Sequence, residues 1–218
     1  MKSIPKSGYY YPNRLALATF NSLIDMMGRN GFNAMLNLAH LRNYINNQPP
    51  DDLEKGFDFA DFSAIQVALE EMYGEEGGHL FIKRAGRSTF TQALKNHGAM
   101  VGVTNEAFCC LPLEIQLRIG MQALARIMTQ ISDQRTTVSE NASEIIYTVH
   151  KCPHCLDRIS NDRCICCFEI GLLEEGLKWI SGGLQFAISE TECIAKGDEV
   201  CEYTIEKQPI NAEYQVKD

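Results

Sequence analysis

The sequence predicts an α+β fold in a single domain, with N-terminal helices packed on a small antiparallel sheet. Apolar residues recur with helical spacing over the first two-thirds of the 218-residue chain. In the last third, alternate residues are apolar, as in half-buried strands. Five of the nine cysteines fall between His150 and Cys167, which indicates a metal-binding C-terminal region.

The early helices are read from apolar spacing and from their ends. The predicted order is a helix from an Asn13 cap to Gly28, a helix that stops before Pro49, a helix that ends near Gly74, a helix from Gly86 to His97, and a long helix from Leu113 to Ile131. Glycines weaken the prediction before Gly86. The long helix is the strongest signal, because its apolar stripe covers more than one face.

The last third combines three strands with one helix. Strands are predicted where apolar residues alternate: Ile145, Tyr147, Val149; Leu184, Phe186, Ile188; and Cys201, Tyr203, Ile205. A helix precedes the stop at Gly182 and Gly183. Helices first and strands late are typical of an α+β domain.

Composition excludes some functions. The chain is 45% hydrophobic and 22% charged, which is typical of a globular domain, and its formal net charge is −8. This acidic excess argues against nucleic acid as the main partner. The first residues contain no apolar run long enough for a signal peptide or a membrane span. We therefore expect a cytoplasmic protein with reduced thiols.

The cysteine pattern favours a metal site. Cys152 and Cys155 form a C-x-x-C pair, which can present two thiolates to one tetrahedral ion. A turn at Gly197 and Asp198 would bring Cys193 and Cys201 together. A redox pair and buried reduced cysteines are the alternatives. His150 and His154 are expected either to bind the metal or to hydrogen-bond one of its ligands.

Two further cysteines lie outside this region. Cys109 and Cys110 precede the long apolar helix and are expected to pack in the core.

Three strings carry a family resemblance: CPHC at 152–155, CCFEIGLLEEGL at 166–177, and ETECIAKGDEVCEYTI at 190–205. They resemble the 4-vinyl reductase domain family. That family includes a protein linked to bacteriochlorophyll 4-vinyl reduction and the sensor domains of aromatic-responsive transcription activators. The resemblance implies an N-terminal helical region at 1–84 and a 4-vinyl reductase-like domain at 85–208. A flexible tail is expected at 209–218.

The resemblance also implies zinc. Read onto this chain, the ligands of the aromatic-sensing members are Cys166, Glu190, Cys193 and Cys201. The additional pair, Cys152 and Cys155, could displace Glu190 and give a four-thiolate site, so the fourth ligand stays open. The family is usually dimeric, with an apolar pocket near the zinc.

The pocket is expected between the long helix and the sheet. Leu117, Met121 and Leu124 would form one wall, and Tyr147 would aim its hydroxyl at a ligand. A fully packed core is the alternative.

Three functions remain open. The first is a zinc-stabilised homodimer that binds a small hydrophobic molecule, such as a tetrapyrrole or an aromatic compound, for sensing or delivery. The second is a vinyl reductase subunit of bacteriochlorophyll synthesis, although no nucleotide-binding fingerprint or catalytic residue is found. The third is a scaffold or regulatory subunit, which the family's distant similarity to vesicle-tether subunits suggests.

Overall fold

The structure is a computed structural model that describes residues 4–95, 102–104, 106–160, 163 and 165–210. The elements in order are β1 Tyr10–Pro12, α1 Asn13–Leu38, β2 Lys55–Asp58, α2 Phe59–Thr89, α3 Glu106–Cys109, α4 Leu113–Ile131, β3 Thr136–Glu140, β4 Glu144–Val149, α5 Cys167–Ile180, β5 Phe186–Glu192 and β6 Cys201–Pro209. The predicted α+β class in one domain is confirmed.

The main sheet has four antiparallel strands in the order β3-β4-β6-β5. All three predicted strands belong to it. On β4 and β6, Tyr147 lies opposite Tyr203, and both side chains are fully buried. Strand β3 was missed because its sequence TTVSE is mostly polar. It is an edge strand of the sheet and pairs only with β4. The short pair of β1 and β2 was also missed.

Glycine breaks the two longest helices where the sequence predicts an end. The backbone leaves helical geometry at Gly28 (φ 71°, ψ 165°) and at Gly74 (φ 74°, ψ 164°), and a new helical segment follows each break at once. A positive φ of this kind strains any residue with a Cβ, so glycine is favoured at both positions. The segment after Gly28 ends at Leu38, earlier than predicted.

The predicted helix start at Gly86 was wrong, because α2 is helical from Glu75 through Thr89. Gly86 lies at a crossing instead: a Cβ there would lie 2.1 Å from the Phe168 carbonyl oxygen. On the opposing helix α5, a Cβ on Gly171 would lie 1.9 Å from the Lys83 carbonyl oxygen. The glycines therefore serve close helix packing and do not end the helix. His97, the predicted end, lies outside the described residues.

One core joins the N-terminal and C-terminal parts of the chain. Helix α2 packs on both α1 and α5, and α4 packs on β3 and α5. The boundary predicted at residue 84 falls inside α2. Most of the predicted tail, at 211–218, lies outside the described residues. Among the described helices, none combines the length and the apolar content needed to cross a bilayer.

Candidate metal centre and interior polar cluster

Five buried cysteines converge at one end of the sheet, and we call them the cysteine cluster: Cys152, Cys155, Cys166, Cys193 and Cys201. The first two lie in the segment that follows β4. Cys166 precedes the first residue of α5, Cys193 follows β5, and Cys201 begins β6. The segment after β4, the start of α5 and the connection between β5 and β6 thus supply thiols to one point.

The sulfur separations match those of a single tetrahedral ion. Cys155 Sγ lies 3.3 Å from Cys166 Sγ, 3.6 Å from Cys193 Sγ and 3.4 Å from Cys201 Sγ. Cys166 Sγ lies 4.0 Å from Cys193 Sγ and 3.7 Å from Cys201 Sγ. Zinc–sulfur bonds of about 2.3 Å place tetrahedral sulfurs about 3.8 Å apart. The cluster can therefore hold one metal ion.

Two overlapping ligand sets meet this compactness. The first is Cys152, Cys155, Cys166 and Cys201, and the second is Cys166, Glu190, Cys193 and Cys201. Within each set, the ligand atoms lie within 4.8 Å of one another. All six predicted metal-site residues are thus brought together, and the sets share two cysteines.

Local hydrogen bonds hold the candidate ligands in place. The backbone N–H of Cys193 donates to Asp198 Oδ2 over 2.7 Å, and Gly197 adopts the left-handed conformation (φ 102°) that this turn requires. The N–H of Cys166 donates to Glu190 Oε2 over 3.0 Å. The glutamate thus fixes the start of α5 beside the thiols, whether or not it binds the ion.

Burial opposes charge in this cluster. It raises the pKa of the Cys166 thiol well above its ordinary value and that of Cys152 to about 12. Hydrogen bonds from the surrounding thiols, that of Cys152 foremost, lower the pKa of Cys155. A bound cation would favour thiolates throughout the cluster, since coordination deprotonates a thiol outright.

The two histidines beside the cysteines do not join the candidate ligand sets. His150 Nε2 lies 2.9 Å from the Thr137 hydroxyl. His154 Nδ1 lies 2.9 Å from Gln66 Nε2, and His154 Nε2 lies 3.6 Å from Glu169 Oε2. Each histidine thus has one ring nitrogen within hydrogen-bonding distance of a residue outside the cysteine cluster.

The other cysteines lie apart from the cluster. Cys109 and Cys110 are exposed, so the expectation that they pack in the core was wrong. They lie at the end of the short helix α3, whose only buried residue is Phe108. Cys167 is half-buried, and Cys164 lies outside the described residues.

A buried polar network lies next to the cysteine cluster, and we call it the polar cluster: Tyr11, Gln66, Gln134, Tyr147, His154 and Glu169. The Tyr11 hydroxyl donates to Gln134 Oε1 over 2.5 Å. Gln134 Nε2 donates to Glu169 Oε1 over 3.3 Å. The network continues through His154 to Gln66, so it joins β1, α2 and α5 within the core.

Several atoms of this network lack a hydrogen-bond partner among the described residues: Gln66 Oε1, Tyr147 Oη, His154 Nε2 and Glu169 Oε2, together with the neighbouring Tyr203 Oη. Burial raises the pKa of the Tyr147 hydroxyl well above its usual value, and the Glu169 carboxylate raises it further. Unpaired buried polar atoms cost roughly 1–3 kcal/mol each. Water or a ligand bound among them would remove part of that cost.

The predicted pocket residues Leu117, Met121, Leu124 and Tyr147 are all fully buried in the core. Two surface depressions, of about 240 and 430 Å³, lie elsewhere. The first is lined mainly by charged side chains of α2 and α5, and the second lies between the start of α4 and the end of β6. The predicted pocket thus coincides with packed core and with one member of the polar cluster.

Comparison with known proteins defines the fold. An H-NOX structure concerned with H-NOX activation aligns with 92% of this chain and 98% of its own, with a TM-score of 0.54 and 14% identity. An H-NOX protein from S. oneidensis in the Fe(II)NO ligation state aligns with 89% of this chain and 99% of its own (TM-score 0.54, 15% identity). The phenol-responsive sensory domain of the transcription activator PoxR, with phenol, covers 72% of this chain and 79% of its own (TM-score 0.51, 17% identity).

These comparisons overturn the resemblance to the 4-vinyl reductase domain family. No family model matches the chain, and no curated protein matches it. The similar structures are H-NOX domains and a phenol-responsive sensory domain. The short cysteine-bearing strings suggested that family, but they cover only part of the chain. At this low identity the similarity shows a fold shared with small-molecule sensor domains.

Sequence reasoning missed most of the polar cluster. Tyr11, Gln66, Gln134 and Glu169 come from four distant stretches of the chain, and no spacing links them. Gln66 and Glu169 do carry a signal, because each lies on a helix among fully buried neighbours such as Ile65 and Phe168. A polar residue on a buried helix face needs a partner. Here the partners are His154 for Gln66 and Gln134 for Glu169, and both lie outside the helices.

Proposed function

We propose that this protein is a zinc-stabilised sensor or delivery domain that binds a small, largely apolar molecule in its interior. The observation that carries the proposal is the set of unpaired polar atoms buried next to the cysteine cluster. The fold it shares with small-molecule sensor domains supports the same function.

Zinc is the ion that the cysteine cluster suits best. Thiolates are soft ligands, and tetrahedral four-sulfur sites select zinc or iron–sulfur clusters. An iron–sulfur cluster places several atoms between its cysteines and needs them farther apart than the 3.3–4.0 Å found here. A closed four-thiolate site would contribute to folding and would catalyse nothing.

The ligand is expected to have an apolar body and one polar end. Leu117, Met121 and Leu124 are packed in the same core as Tyr147, so binding would require them to separate and supply apolar surface beside its hydroxyl. Phenolic compounds fit this description, and phenol accompanies the PoxR sensory domain in its structure. Such a ligand would gain hydrogen bonds from atoms that otherwise lack them.

Thermal shift with phenolic and porphyrin-type ligands tests this proposal. A ligand that binds the folded state raises the melting temperature in step with its concentration. The matched variant is Tyr147→Phe, which removes one hydroxyl and keeps the ring. It should melt at or above the wild-type temperature without ligand, since an unpaired buried hydroxyl is lost, and it should respond less to the ligand. If no ligand shifts the wild type, the binding proposal is wrong and the regulatory-subunit alternative replaces it.

Heme is the second cofactor that the fold raises, since one similar structure addresses heme distortion in the H-NOX family (TM-score 0.52, 14% identity). Among the described residues, the buried histidine does not fit it well. A heme needs an axial ligand such as histidine. His154 Nε2 faces the Glu169 carboxylate at 3.6 Å, and the rings of Phe62 and Phe168 pack beside its imidazole. An absorption spectrum of the purified protein without a Soret band is the expected result.

We also propose that the protein is a homodimer. Leu80 and Ile159 are large apolar side chains that are 70% and 91% exposed, and Ile119 on α4 is 42% exposed. Apolar side chains of this kind can be covered by a second copy, and symmetric dimers are the commonest oligomers. Light scattering at micromolar concentration should give twice the chain mass, and a monomer mass would contradict the proposal.

A further inference from the structure

The cysteine cluster contains one more thiol than a tetrahedral ion can bind. Zinc in structural sites takes four ligands almost without exception. Five buried sulfurs lie here, and Glu190 lies beside them. At least one thiol must therefore remain outside the coordination sphere of a single ion.

Three of the sulfurs form a common triangle. Cys155, Cys166 and Cys201 are separated by 3.3, 3.4 and 3.7 Å along its three edges. These thiols come from the segment after β4, from the start of α5 and from the start of β6. We call this set the thiol triangle.

Two other thiols each complete the thiol triangle to a four-sulfur set. Cys152 Sγ lies 3.4 Å from Cys166 Sγ and within 4.8 Å of the other two sulfurs. Cys193 Sγ lies 3.6 Å from Cys155 Sγ and 4.0 Å from Cys166 Sγ, and within 4.8 Å of Cys201 Sγ. Separation therefore does not single out one fourth ligand.

The thiol triangle with Cys152 and the thiol triangle with Cys193 cannot each bind a zinc ion at the same time. Two tetrahedral zinc ions that shared three thiolates would lie only about 1.5 Å apart, which their charges forbid. A single ion that binds the thiol triangle has one position left for a thiolate, and either Cys152 or Cys193 can fill it.

We propose that a single zinc ion keeps the thiol triangle as constant ligands and exchanges its fourth thiolate between Cys152 and Cys193. This proposal rests on the zinc site proposed above. In each exchange one zinc–sulfur bond forms and one breaks. The incoming thiol loses its proton and the departing thiolate gains one, so the charge of the site does not change.

The exchange would connect two parts of the molecule. Cys152 belongs to the segment that carries His154, and His154 is bonded to Gln66 of α2 in the polar cluster. Cys193 is held by Asp198 in the turn between β5 and β6. Zinc bound to Cys152 would fix the segment that carries His154 beside the polar cluster. Zinc bound to Cys193 would fix the turn between β5 and β6. A ligand at the polar cluster that moves His154 would therefore bias which thiol binds.

Cobalt substitution tests the proposal, because thiolate-to-cobalt absorbance reports the number of bound thiolates. The zinc in full-length protein is replaced with Co²⁺, and the wild type is compared with Cys152→Ser, Cys193→Ser and the double variant. Each single variant should keep the wild-type absorbance, because the other thiol replaces the lost one. The double variant should lose one thiolate's share and weaken cobalt binding by more than about 100-fold, beyond the effect of losing a supporting contact.

Matched variants keep the outcomes separate. Cys109→Ser removes an exposed thiol remote from the cluster and should change nothing, and Glu190→Gln should keep the four-thiolate absorbance. Loss of one thiolate's share in only one single variant would overturn the exchange and identify a fixed fourth ligand. Loss of one thiolate's absorbance in both single variants would also overturn the exchange. A wild type that binds neither zinc nor cobalt would refute the zinc proposal itself, which is a different result.

Discussion

Asp58 ties the N-terminal segment to the start of α2. Its carboxylate accepts from the Ala60 N–H over 2.7 Å, from the Ser7 hydroxyl over 2.7 Å, and from the N–H groups of Ser7 and Gly8. It thus caps the helix and orders the residues before β1. Asp58→Ala should lower the free energy of unfolding by roughly 1–2 kcal/mol, measured in urea. Asp51→Ala, at a carboxylate that is 68% exposed, should change it by less than about 0.5 kcal/mol.

The same residue predicts a pH dependence. Burial alone would raise the pKa of Asp58, but the hydrogen bonds from Ala60, Ser7 and Gly8 hold it below its usual value. A lowered folded-state pKa stabilises the protein above the unfolded pKa of about 3.9. The advantage of wild type over Asp58→Ala should therefore be constant near neutral pH and shrink as the pH falls below about 4. An advantage that grows in acid would contradict this assignment.

Individual residues show what spacing can and cannot predict. The C-x-x-C pair predicts that Cys152 and Cys155 lie together, and the Gly-Asp turn predicts the same of Cys193 and Cys201, because each pattern fixes local geometry. They cannot predict which four bind, since that depends on separations set by three distant parts of the chain. Glu169 was missed for the same reason: its partners lie on other elements.

At the scale of elements, the crossing of α2 and α5 depends on two glycines. Gly86 and Gly171 face carbonyl oxygens of the opposing helix at distances that leave no room for a Cβ. Either glycine-to-alanine change should force the helices apart and lower the free energy of unfolding by roughly 1–3 kcal/mol, as overpacking does. Gly31→Ala is the matched control, because a Cβ there meets only the flexible Met27 side chain, and it should be neutral or stabilising. Equal effects at the three positions would contradict the close crossing.

Elements were predictable where one periodicity dominated. The apolar stripe of α4 and the alternation in β4 and β6 lie in the core as expected. The part of α2 between Gly74 and Gly86 was not predicted as a helix. A glycine that permits close contact looks the same in the sequence as one that ends a helix. Strand β3 is paired on one side only and has few buried residues, so it left no apolar signal.

At the scale of the whole molecule, the order of elements predicted the fold class correctly, but the family resemblance was wrong. Short cysteine strings suggested one family, whereas the complete arrangement of helices and sheet matches H-NOX domains and a phenol-responsive sensory domain. Three strings near one end test only the local geometry of a metal site. A structural comparison tests all packed elements at once, including α1 and α2, which those strings do not include.

The proposed zinc ion should stabilise the whole molecule, because the cysteine cluster joins the segment after β4, the start of α5 and the β5–β6 connection. Removing it with a strong chelator should lower the melting temperature and expose the five cluster thiols to alkylation. Cys109 and Cys110 should react before chelation as well, since both are exposed. Full protection of all five cluster thiols after chelation would argue that packing alone holds the cluster.

The most direct test of the zinc proposal is the metal content of protein purified without chelator, measured by native mass spectrometry under non-denaturing conditions. The arrangement of thiols within 3.3–4.0 Å predicts one zinc ion per chain, since one ion satisfies the site and a second cannot fit. A folded protein whose mass equals that of the bare chain, with no bound metal, would contradict it.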